Sequence, residues 1–109
     1  MKFIFVYITS PTQKEAEKIA KHLLKKRLVA CANFFPVKSF YWWEGKIRNE
    51  KEFVLIGKTE EKNYQKIVKE LGEIHSYSIP CIAKIPVFFN KEYGKWLRKE
   101  VDKFSFQFV

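Results

Sequence analysis

Cysteine, histidine, glycine and proline are all scarce in this chain of 109 residues: two, two, four and four. Two cysteines, Cys31 and Cys81, cannot build a disulfide framework, and unpaired thiols fit a reducing cytoplasm. So few glycines and prolines exclude a linker-rich or low-complexity chain. No stretch approaches the roughly 18 consecutive apolar residues of a membrane span. The opening run FIFVYI at 3–8 is short and has no small-residue cleavage site behind it, so it predicts a strand rather than a secretion signal. Catalytic material is thin as well. No Ser-His-Asp or Cys-His signature, paired catalytic carboxylates or metal-hydrolase motif is evident, and the residues after the first strand, Thr9-Ser10-Pro11-Thr12, lack the arginine of an acylphosphatase. The expectation is a protein that is not an enzyme.

What the chain has is aromatic side chains, 17% of all residues with eleven Phe, and a net charge of +9 from 21 basic and 12 acidic residues. The lysines are interleaved with acids, as on a solvated surface, rather than clustered into a nucleic-acid footprint. An RNA-recognition sheet needs aromatics on its third strand, where this chain reads KEFVLIG at 51–57, with an acid and aliphatics in the stacking positions. Neither nucleic acid nor membrane is expected as a partner.

Periodicity orders the elements. After the strand at 3–8, Ser10, Pro11 and Gln13 predict an N-cap, first and third helical positions, with the helix running to about Arg27. Its apolar stripe is Ala16, Ile19, Ala20, Leu23 and Leu24. A buried strand is expected at 28–32, with a bulge or bend at Pro36 before the chain enters a hairpin tipped by Glu44-Gly45-Lys46. The returning strand holds Phe53-Val54-Leu55-Ile56, and 58–61 caps a second helix with the stripe Tyr64, Ile67, Val68, Leu71 and Ile74. A loop at 75–78, a strand from Cys81 to about Val87, and a helix capped by Asn90 follow; the last buries Tyr93, Trp96, Leu97 and Val101. The tail at 104–108 alternates phenylalanine with polar residues and is expected to dock. The order β-α-β-β-α-β predicts an α+β, ferredoxin-like split βαβ in one domain, 1–109, with an extra C-terminal helix. Two helices on one sheet face leave the other bare. The strands are apolar on both sides, so another subunit is expected to cover it.

The segments RLVACAN at 27–33, Ser39-x-Tyr41-x-Trp43-x-Gly45-x-Ile47, Glu52, Lys58-Thr59 and His75-x-Tyr77-x-x-Pro80, together with Thr9-x-Pro11 and Tyr93-x-x-Trp96-Leu97, resemble the CutA family of divalent-cation-tolerance proteins. The resemblance implies a ferredoxin-like protomer in a tight homotrimer whose long hairpins pair between subunits. It also implies a link to heavy-metal tolerance and to binding of copper(II) or another divalent cation, with no cofactor required. Some members carry a copper-implicated cysteine before the Thr-x-Pro start; Ile8 stands there in this chain.

His75 is the favoured metal ligand, since imidazole suits copper and the residue lies in a loop beside a strand start. The competing reading makes it a cap on the second helix's C-terminus. Cys81 would bring a thiolate six residues further on. Cys31 reads as core, and His22 as ordinary surface. Tyr41 and Trp43 share a strand face, as do Glu52 and Lys58 on theirs. These four would hold a small anionic ligand in an intersubunit cleft, or Glu52 and Lys58 would form an interfacial ion pair fixing trimer register. Trp42 is expected to pack on a neighbouring subunit. Two functions remain: a trimeric metal-binding protein, or a small-ligand sensor like the nitrogen-regulatory PII proteins, for which no Gly-rich phosphate loop is present.

Overall fold

A computed structural model describes residues 2–103 of the chain. The docking expected of the tail at 104–109 lies outside the described residues. The elements are β1 (Phe3–Ser10), α1 (Gln13–Lys25), β2 (Cys31–Trp43), β3 (Lys46–Glu60), a short 3-10 turn (Glu61–Asn63), α2 (Tyr64–Ile74), β4 (Ile82–Val87) and α3 (Lys91–Asp102). The strands form an antiparallel sheet in the order β2-β3-β1-β4, the split βαβ arrangement expected from the element order.

β1 is not uniformly buried. Ile4, Val6, Ile8 and Ser10 are fully covered, while Phe3, Phe5, Tyr7 and Thr9 on the other face are half-buried. The covered face packs with Leu55 of β3 against Ile19, Ala20 and Leu23 of α1 and Ile67 and Leu71 of α2. The cap of α1 falls two residues later than expected. Thr12 Oγ1 accepts the Glu15 N–H at 3.1 Å, and Ser10 instead extends β1. The helix also stops earlier, at Lys25. Leu28 N–H bonds the Leu23 carbonyl and Arg27 N–H bonds that of Leu24, each at 3.0 Å, with Arg27 left-handed at φ 56°. Leu28 and Val29 are therefore a buried connection, and β2 starts only at Cys31. Gly57 faces that connection. A Cβ on it would sit 2.8 Å from Val29 Cγ1, so glycine is what lets β3 run beneath.

No bulge marks Pro36. β2 and β3 pair residue for residue from Cys31↔Lys58 through Pro36↔Phe53 to Trp43↔Lys46. An edge strand has one side on which a missing N–H breaks no ladder bond. The hairpin closes on two residues rather than three: Glu44 and Gly45 both have positive φ, 51° and 76°, the signature of a type I′ turn. α2 begins at Tyr64, after the 3-10 turn, and β4 begins one residue beyond Cys81.

The second sheet face is only partly bare. α3 lies over the Phe3 and Phe5 end of β1: a Cβ on Gly94 would stand 3.1 Å from the Phe3 ring, and Phe89 packs against both phenylalanines. Leu97 and Val101 are buried there, but Trp96, expected on that face, is 43% exposed. At the other end β2 and β3 outrun the sheet, with 37–52 paired only within the hairpin. Phe40, Trp42 and Ile47 on this projecting part are 66%, 71% and 62% exposed.

Candidate functional site

A cavity of about 740 Å³ opens where the hairpin leaves the sheet. The hairpin supplies Tyr41, Trp43, Arg48, Glu50 and Glu52 to its wall; the end of β1 supplies Thr9; and the loop after α2 supplies Ser76, Tyr77 and Cys81. Residues that the sequence held in two separate sets thus meet in one place. Lys58 does not join them. It sits six residues along β3 from Glu52, about 20 Å at strand spacing, with its ammonium 5.5 Å from the Tyr93 ring. Within a protomer, Glu52 and Lys58 cannot be an ion pair.

Glu52 is only 6% exposed, and its Oε2 accepts the Tyr77 hydroxyl at 2.5 Å. That short contact joins the middle of β3 to the loop after α2. Burial first, and then the Glu52 carboxylate, push the Tyr77 phenol well above its ordinary pKa. Tyr41 is raised in the same way, by desolvation and then by Glu50. Both phenols remain protonated donors. Tyr77 had no assigned role in the sequence reading. It lies 25 residues from Glu52, and no periodicity couples a loop to a strand at that distance.

His75 lies behind the cavity with its side chain fully covered. Its Nε2–H donates to the Thr9 carbonyl at 2.8 Å, while Nδ1 accepts the Tyr77 N–H at 3.0 Å, which fixes the neutral tautomer. Glu15 Oε2 stands 3.4 Å from Nδ1 and accepts from the Ser76 N–H and hydroxyl at 3.1 and 2.9 Å. His75 is the C-terminal cap residue of α2 by position, its own N–H bonding the Leu71 carbonyl, but its ring serves β1 and not the helix. In this arrangement neither ring nitrogen offers a free lone pair. Cys81 is exposed at the cavity wall. Among the described residues, no group of three or more His, Cys, Asp or Glu has the arrangement of a metal centre.

Two side chains set aside as ordinary have partners. His22 bonds Glu70 at 2.9 Å, tying α1 to α2, instead of standing free on the surface. Cys31 is half-buried beside the Tyr93 hydroxyl, whose pKa is pushed up to about 12, by burial first and then by the thiol.

The protein is a ferredoxin-like α+β domain whose hairpin outruns its sheet and roots in a cavity. The family model of the CutA1 divalent ion tolerance protein matches residues 4–100, and the chain belongs to this family. It is 48% identical over 99 residues to the divalent-cation tolerance protein CutA of Archaeoglobus fulgidus, spanning 90% of this chain and 97% of that one. With the CutA of Pyrococcus horikoshii the identity is 46% over 101 residues, 92% and 99% of the two chains. Among solved structures, the periplasmic divalent cation tolerance protein CutA from Archaeoglobus fulgidus superposes with a TM-score of 0.89 at 47% identity, covering 91% of this chain and 98% of its own. CutA1 from Oryza sativa gives 0.88 at 31%, covering 92% and 94%. No described helix is long and apolar enough to cross a membrane.

Proposed function

We propose that this protein acts in divalent-cation tolerance as a non-enzymatic homotrimer that binds copper(II) or a similar divalent cation. Family membership supports the tolerance role. The observation that carries the assembly is the projecting hairpin: Phe40, Trp42 and Ile47 stand exposed on a stretch that no element of the same protomer covers among the described residues. Apolar area of that kind marks an interface. A chain with two free cysteines suits a reducing compartment such as the cytoplasm.

Copper(II) would find a thiol at Cys81 and an imidazole at His75, and the latter becomes available only if the Tyr77 N–H leaves Nδ1. The test is copper(II) calorimetry on the native protein, with light scattering on the same sample. The expected mass is three times 13.1 kDa, and His75→Ala and Cys31→Ser/Cys81→Ser should each weaken binding. A monomer that is stable on concentration overturns the assembly. Unchanged copper affinity in both variants removes these ligands. The sensor reading with an anionic ligand is not carried forward, because within one chain the cavity gathers three carboxylates, Glu44, Glu50 and Glu52, against the single basic side chain of Arg48, and Lys58 lies far from it.

A further inference from the structure

In sequence the lysines of α1 alternate with acids, the pattern of a solvated face, but the fold sorts the two signs. Lys14, Lys18, Lys21 and Lys25 recur at helical steps and line up opposite the buried Ala16, Ile19 and Leu23, in a stripe roughly 16 Å long. All four are exposed, and none has an ion-pair partner among the described residues. The acids between them are engaged elsewhere. Glu15 Oε2 accepts from the Ser76 N–H and hydroxyl at 3.1 and 2.9 Å, and Glu17 Oε1 accepts from the Gln13 amide at 3.3 Å. Glu70 of α2 takes His22 and Lys26 at 2.9 and 3.0 Å, which sets α2 beside α1. α2 adds the exposed and unpaired Lys66 and Lys69, and Glu73 is the one exposed acid of the two helices.

This layer covers the sheet face opposite α3, so an assembly through the hairpin and the other sheet face leaves it open to solvent. Its charge calls for an anionic partner, and its composition says which kind. No exposed residue of α1 or α2 is aromatic, so the bases of a single-stranded nucleic acid find nothing to stack on. None is arginine, so the planar fork that holds one phosphate or carboxylate bidentately is missing as well. Two helices side by side put no projecting element forward to enter a duplex groove. Lysines are hydrated point charges on flexible stems, and several of them in one layer are attracted to a surface of diffuse negative charge roughly in proportion to their number.

We propose that the outer face of α1 and α2 docks on an anionic lipid surface, with Lys14, Lys18, Lys21 and Lys25 as the main contact and Lys66 and Lys69 beside them. The contact is peripheral and distinct from a membrane span.

Co-sedimentation of the full-length protein with vesicles of roughly one-third phosphatidylserine in phosphatidylcholine tests this at low salt. The protein should sediment with these vesicles, be released by added salt, and ignore vesicles of phosphatidylcholine alone. K21Q/K25Q should lower partitioning roughly 30-fold with an unchanged circular dichroism spectrum, and K14Q/K18Q, on the same stripe, should lose as much. K91Q/K95Q removes the same charge from exposed positions on α3, at the opposite face, and should change partitioning by no more than about twofold. Failure to bind the anionic vesicles, equal binding to the neutral ones, or equal losses from the α1 and α3 variants overturns the proposal. Tighter binding of short duplex DNA than of the anionic vesicles, in competition, also overturns it, in favour of nucleic acid.

Discussion

Glu60 shows how much one side chain's surroundings matter. It is 6% exposed at the end of β3, its Oε1 makes no hydrogen bond, and Lys62 stands 3.8 Å away. Burial, the largest influence, raises its pKa; Lys62 opposes this and Asp102 adds to it. A carboxyl whose folded pKa exceeds its unfolded value favours folding when protonated. Its contribution therefore falls as pH rises from the ordinary value of 4.5 through the folded value. Glu60→Gln keeps the shape, removes the buried charge and supplies an amide donor toward Asp102. It should raise the unfolding free energy at pH 7 and flatten the stability profile above pH 4.5, with little change at lower pH. Urea unfolding at several pH values measures this, and a variant less stable at pH 7 would contradict it. Glu70 has the opposite sign. Lys26 first and His22 next hold its pKa down, so its contribution is lost as pH falls.

Among the elements, α1 shows the interplay of cap and context. Thr12 holds its first turn through the Glu15 N–H, and Thr12→Ala should cost about 0.5–2 kcal/mol in chemical denaturation. A loss at Ser10→Ala as large as at Thr12→Ala would restore the earlier cap. Both Thr12 and Ser10 are good capping residues, and each is followed by a helix-compatible run. The sequence predicts the helix but puts its cap at Ser10 rather than Thr12, because the choice depends on β1 pairing as far as Ser10↔Phe53. At the other end, Arg27 occupies a left-handed position that glycine would fill without strain. Its guanidinium reaches Glu100 of α3, bonding the carbonyl at 3.3 Å and the carboxylate at 3.2 Å. That contact across 73 residues gives the position a reason to be arginine.

For the whole molecule, the decisive feature is the hairpin that runs past its own sheet. If it is the subunit contact, Trp42→Glu places a charge into the joint and should release monomers in light scattering, with the protomer's core unaffected. A variant with the native mass would move the contact elsewhere. Trp42 is 71% exposed in the protomer, whereas Glu52 on the same hairpin is buried by its own chain, so the two should respond differently to dilution.

Element order, the amphipathic stripes apart from the exposed Leu24 and Trp96, the hairpin and the family were legible in the amino-acid sequence. Each rests on local periodicity or on motifs whose spacing survives in one dimension. Strand alternation puts Tyr41 with Trp43 and Glu52 with Lys58 on common faces and marks the four as a set; the first three line one cavity and Lys58 does not. What one dimension cannot carry is which loop closes on which strand. The Tyr77 hydroxyl reaching Glu52, the His75 ring turned to the Thr9 carbonyl, and the removal of Lys58 to the Tyr93 ring depend on sheet register and on how α2 and α3 dock. Such contacts are set by packing between segments far apart in the chain, so only the tertiary structure decided them, and with them the sign and shape of the cavity.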